Sequence, residues 1–83
     1  MPKFSEFETE RLQKINAAKE LGYPTRIIRR LILATKPAQL DQAMVDGRNS
    51  GEFEAWATVI RTLAAEGIKV PRGRTTVGQN WVD

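Results

Sequence analysis

The sequence predicts a compact all-α bundle of four helices, followed by a short basic tail or a small hairpin. Three observations lead there. Apolar residues recur at helical spacing across most of positions 1–67. Gly22-Tyr23-Pro24, Pro37, the polar run 47–51 and Gly67 interrupt that spacing where helices stop or start. The β-prone residues gather only near the end, in Ile68-Lys69-Val70 and Thr75-Thr76-Val77. The chain therefore divides into a helical domain, 1–67, and a basic segment, 68–83.

The first helix is announced by Ser5-Glu6-Phe7-Glu8, a capping-box spacing. Glu6, Glu8 and Glu10 suit the positive end of its dipole. Phe7, Leu12, Ile15, Ala18 and Leu21 or Gly22 form one apolar face. Gly22 is placed to end the helix in the left-handed region, and Pro24 prevents its continuation. The second helix starts at Pro24 or Thr25, with Ile27, Ile28, Leu31, Ile32 and Ala34 inward. It ends near Thr35-Lys36, because Pro37 disfavours helical geometry in the residue before it. The third begins at Pro37, turns Leu40, Ala43 and Met44 inward, and is expected to stop at Gly47, with 47–51 a polar turn. In the fourth, Phe53, Trp56, Ala57, Ile60, Leu63 and Ala64 form the apolar stripe and Gly67 is the stop. Phe53 and Trp56 are expected in the core, since aromatics dominate burial in a small domain. After Gly67, Pro71-Arg72-Gly73-Arg74 has turn chemistry. Trp81 either docks on the domain or is exposed to a partner.

An 83-residue chain holds one domain at most, with a modest core. It has no Cys and no His, which removes disulfides, thiolate metal sites and the commonest nucleophile, base and metal ligand. No phosphate-cradling glycine loop or nucleophile–base pair is present. The first-turn carboxylates are explained by the dipole, so no enzyme, cofactor or metal is expected. Apolar runs fall far short of the ~20 residues of a membrane span. With no secretory signal pattern at the N-terminus, a cytoplasmic protein is expected.

The net charge of +3 is unevenly spread. Residues 26–36 carry Arg26, Arg29, Arg30 and Lys36 with no acid, whereas residues 37–67 carry two basic and five acidic groups. Arg26, Arg29 and Arg30 stand at i, i+3 and i+4, so they project from one face of the second helix, in a row that Leu33 continues. A localised cationic face of this kind suits a polyanion. Arg72 and Arg74 make a second basic site, and the fourth helix is available for a homodimer contact.

The stretch from Lys14 resembles the helix-turn-helix of bacterial transposases and phage regulators. Ala18 supplies the small residue that lets two helices approach, Gly22 the sharp turn, and Ala17, Leu21, Tyr23, Ile28 and Leu31 the apolar places. Ile27 departs from the pattern, which turns its place outward. The match covers about a quarter of the chain. It implies a DNA-binding regulator or accessory factor whose second helix enters the major groove of double-stranded DNA. Thr25, Arg26, Arg29 and Arg30 would then contact bases or phosphates, with Arg72 and Arg74 reaching adjacent backbone or the minor groove. Leu21-Gly22-Tyr23-Pro24 also resembles the loop of ubiquitin-associated-type three-helix domains. That resemblance implies a protein-binding adaptor or inhibitor module working through this loop and the third helix, with Tyr23 and Met44 as its contacts, but it leaves the basic row unexplained. Trp81 is a further candidate protein contact, and Arg26, Arg29 and Arg30 suit an acidic protein partner as an alternative to DNA.

Overall fold

The computed structural model describes residues 6–70. It contains α1 (Glu6–Leu21), α2 (Thr25–Leu33), α3 (Pro37–Ser50) and α4 (Trp56–Ala65), with no strand among the described residues. The expected all-α class and helix order are present. Ser5 of the capping box, the 71–74 turn, Thr75–Val77 and Trp81 lie outside the described residues, as do Arg72 and Arg74.

The fold is organised around α2. This nine-residue helix packs against α1, α3 and α4, and α1 also packs against α3. Ile27, Ile28 and Leu31 of α2 are fully buried. They meet Ile15 and Ala18 of α1, Leu40 and Ala43 of α3, and Val59 and Leu63 of α4 in one cluster. Burial of these side chains is the main driving force for so small a domain.

Two helices end in the same way. At the end of α1, Gly22 adopts φ 78°. The Gly22 amide donates to Lys19 O at 3.2 Å, and the Tyr23 amide to Ala18 O at 3.0 Å. At the end of α4, Gly67 adopts φ 77°, with the Gly67 amide on Ala64 O and the Ile68 amide on Leu63 O. This is the Schellman arrangement, in which the residue after the glycine folds back on the helix. Both such residues are apolar. Tyr23 is buried, and Ile68 packs against the core.

The burial of Tyr23 corrects the expected end of α3. The helix runs through Gly47 and stops at Ser50, with Gly51 at φ 67° as its cap. Gly47 is buried within the helix because the Tyr23 ring lies where a side chain would be. A Cβ at Gly47 would stand 2.5 Å from Cδ2 and 2.7 Å from Cε2 of that ring. The helix accepts a residue of poor propensity in exchange for burying an aromatic ring. The Ser50 hydroxyl then donates to Gly47 O and accepts from the Glu52 amide, closing the last turn.

The fourth helix is also corrected. It begins at Trp56, and residues 51–55 form a non-helical linker. Phe53, expected in the core, is 80% exposed. Trp56 is half-buried against the core, and the Lys19 ammonium lies 5.5 Å from its ring centroid. The fully buried positions are Val59 and Leu63, whereas Ala57 and Ala64 are exposed. The linker is the cause. The Glu54 amide donates to Gly22 O at 2.8 Å, tying the linker across the α1–α2 turn and setting the rotation with which α4 enters the bundle.

Candidate nucleic-acid interface

Position and orientation of α2 are fixed at both ends by charged side chains from distant segments. At its N-terminus, Glu54 Oε1 accepts from the Thr25 amide at 2.6 Å and from Thr25 Oγ1 at 2.8 Å. A carboxylate there satisfies an orphan N–H and complements the helix dipole. At its C-terminus, Arg11 Nη1 donates to Leu31 O at 2.9 Å and also to Ile32 O. The same guanidinium pairs with Glu8 and lies over the Phe7 ring. A cation thus occupies the negative end of the dipole and an anion the positive end.

Between these anchors α2 turns its charged face outward. Arg26, Arg29 and Arg30 lie on this face as their spacing requires, with Leu33 beyond them at 60% exposure. The face is not free of acid, however. Arg26 Nη2 is 2.9 Å from Glu52 Oε1 in the linker. Arg29 makes a two-bond pair with Glu66 at the end of α4, Nε to Oε1 at 2.9 Å and Nη2 to Oε2 at 2.6 Å. Arg30 Nη1 is 2.7 Å from Asp46 Oδ2 on α3. The second Asp46 oxygen accepts from Gln42 Nε2 at 2.9 Å.

Electrostatics follow this geometry. The hydrogen bond from Arg29 holds the Glu66 carboxyl below its ordinary range, and those from Arg30 and Gln42 do the same to Asp46. Glu66 in turn raises the pKa of Arg29. The six paired side chains stay 32–55% exposed, so water and salt screen all three bridges. Such pairs contribute little to stability and exchange partners readily. Alongside them, a shallow groove runs between α2 and α3, bounded by Arg29, Arg30, Leu33, Ala34, Ala38 and Gln39.

The remaining candidate residues are distributed differently. Thr25 is 7% exposed with its hydroxyl spent on Glu54, so it belongs to the helix cap and not to the outer face. Tyr23 is 7% exposed beneath α3, and Met44 is half-buried against the core. Neither offers the open loop surface expected of a protein-binding Tyr23 site. Within the helix-turn-helix window, Ala18, Tyr23, Ile28 and Leu31 are buried, whereas Ala17 and Leu21 are exposed and Ile27 is buried. No group of three or more His, Cys, Asp or Glu among the described residues is placed to hold a metal ion. None of the described helices is long and apolar enough to cross a membrane.

The three carboxylates that meet this face, Asp46, Glu52 and Glu66, escape sequence reasoning because they lie 16 to 37 residues from their arginines. Their only signal is the acidic excess of residues 37–67 opposite the acid-free segment 26–36. No family model, no curated protein and no solved structure matches the chain.

Proposed function

We propose that this chain is a small sequence-specific DNA-binding regulator or accessory factor, of the kind phages and mobile elements use, that presents the outer face of α2 to the major groove of double-stranded DNA. One observation carries the reading: three arginines share the exposed face of a helix held at both ends, by Glu54 and by Arg11. A recognition helix needs this combination. Its backbone must not shift, and its donors must reach base edges. Arginine reads guanine O6 and N7 with two parallel hydrogen bonds, much as Arg29 now meets the two oxygens of Glu66. The existing bridges are solvent-screened and replaceable by the stronger field of a duplex.

A second reading has its own support. Residues 6–70 carry ten basic and nine acidic side chains, a net charge of +1. Exposed Leu33 at the end of an arginine row gives the mixed composition common at protein-binding surfaces. On this reading an acidic protein segment lies along α2.

A gel-shift titration with duplex DNA of random sequence separates the two. The wild-type protein should bind at low salt and lose affinity as salt rises, and Arg26/Arg29/Arg30→Ala should bind far more weakly. Equal binding by both proteins, or none by either at low salt, would refute the DNA reading. Retention of an acidic polypeptide by wild type but not by the triple variant, without any DNA shift, would establish the second.

A further inference from the structure

The three carboxylates facing α2 come from three different elements: Asp46 from α3, Glu52 from the linker and Glu66 from the end of α4. Chance placement on a surface rich in both signs explains one such pair more easily than a complete set. Every arginine of the row has its own carboxylate, at 2.6 to 2.9 Å. Other cations within α3 and α4, Arg48 and Arg61, are exposed. Carboxylates also meet cations outside the row, Glu8 on Arg11 and Glu10 and Asp41 on Lys14, but within the row each of the three arginines has one.

We infer that Asp46, Glu52 and Glu66 are specificity-determining residues for the proposed DNA contact: they form an internal competitor that occupies the arginines and suppresses binding to DNA of arbitrary sequence. This rests on the DNA reading of α2. The physical reason is a difference in what each ligand returns. A phosphate approaching an unpaired arginine gains a new ion pair and releases counterions. Approaching a paired arginine, it gains one ion pair by breaking another and leaves a carboxylate beside the negatively charged backbone. That repulsion opposes every sequence alike. A guanine edge offers two neutral acceptors in the plane of the guanidinium and opposes the carboxylate far less. If displacing each bridge costs a factor of about two to three, within the range that exposed ion pairs are worth, the set lowers non-specific affinity roughly tenfold.

The test compares wild type, Asp46→Asn/Glu52→Gln/Glu66→Gln, and the Arg26/Arg29/Arg30→Ala variant. Each is titrated by fluorescence anisotropy against a duplex of about 20 base pairs of arbitrary sequence, at low and at physiological salt. Each acid-to-amide change keeps size and an acceptor oxygen. Circular dichroism melts check that the proteins are folded, and Asp46→Asn alone, on the exposed side of α3, serves if the triple variant is not. The acid-to-amide triple variant should bind about tenfold more tightly, and Asp46→Asn alone two- to threefold. Its salt dependence should be steeper than that of wild type. Unchanged or weaker binding by the folded amide variants, with wild type still binding through its arginines, would overturn the inference and leave the DNA reading intact. Absence of binding by wild type and amide variant at low salt would overturn the DNA reading and this inference with it.

Discussion

Replacing Gly47 by Ala tests the central contact of the fold, because two physical effects predict opposite signs. Gly47 is a helical residue with no positive φ, so backbone geometry does not require glycine there. In an open helix, Gly→Ala stabilises by about 1 kcal/mol. Here the new methyl would stand 2.5 Å from Tyr23 Cδ2, 2.7 Å from Cε2 and 3.0 Å from Cγ. The Cγ contact matters most, since the root of a ring cannot swing aside as its rim can. Tyr23 is fixed at its backbone by the hydrogen bond to Ala18 O and is buried, so relief requires α3 to move away from the α1–α2 turn. Overpacking of this kind costs about 1–3 kcal/mol. The close approach of Cγ places it in the upper part of that range, for a net loss of about 1–2 kcal/mol. In a domain this small, that lowers the melting temperature by roughly 4–15 °C. Urea unfolding followed by circular dichroism measures it, and the double variant Gly47→Ala/Tyr23→Ala should lose less than the sum of the two singles. A Gly47→Ala protein more stable than wild type would refute the Tyr23–Gly47 contact, while agreeing with a helical backbone at Gly47.

Two further expectations follow from the charged groups around α2. Glu54→Ala removes the acceptor of the Thr25 amide and hydroxyl and should cost about 1–2 kcal/mol in denaturant unfolding, a loss typical of a missing cap. An unchanged midpoint would show that the Glu54 carboxylate does not anchor the N-terminus of α2. Asp46 and Glu66 have lowered pKa values in the folded state, so their ionised forms favour folding. Their contribution is complete above the ordinary values of 3.8 and 4.5, and is lost as pH falls through the lower folded values. Stability should thus decline below about pH 4.5, and Asp46→Asn/Glu66→Gln should flatten that decline. An identical acid limb in both proteins would show that these pairs contribute nothing measurable to stability.

The helix order was legible in the sequence because it rests on local chemistry. Gly22 and Gly67 stop helices for reasons contained in their own backbones, and Pro37 starts one for the same kind of reason. The errors concern residues whose role is set by a distant partner. Gly47 reads as a stop until the Tyr23 ring is placed above it. Phe53 fits the apolar stripe of a helix, but the backbone bond from Glu54 to Gly22 withdraws it from α4. A local signal for the burial of Tyr23 did exist: an apolar residue directly after a helix-ending glycine is the one that folds back onto the helix. At the candidate interface, the spacing of Arg26, Arg29 and Arg30 correctly placed them on one outer face. Their carboxylates were hidden because ion pairing between separate helices has no period to read. The inward turn of Thr25 was hidden for the same reason, since its partner lies 29 residues away.

The double anchoring of α2 bears on how the molecule opens. A nine-residue helix is shorter than the ~12–15 residues that persist alone in water, so α2 owes its helicity to its surroundings. Its two end groups come from opposite sides in sequence, Arg11 some 20 residues before and Glu54 29 residues after. Fraying at either end means breaking a contact to a segment distant in sequence, α1 through Arg11 or the 51–55 linker through Glu54. α2 therefore has no cheap local route to unfolding. Its amide protons are expected among the last to exchange with solvent, an order that native-state hydrogen exchange would check.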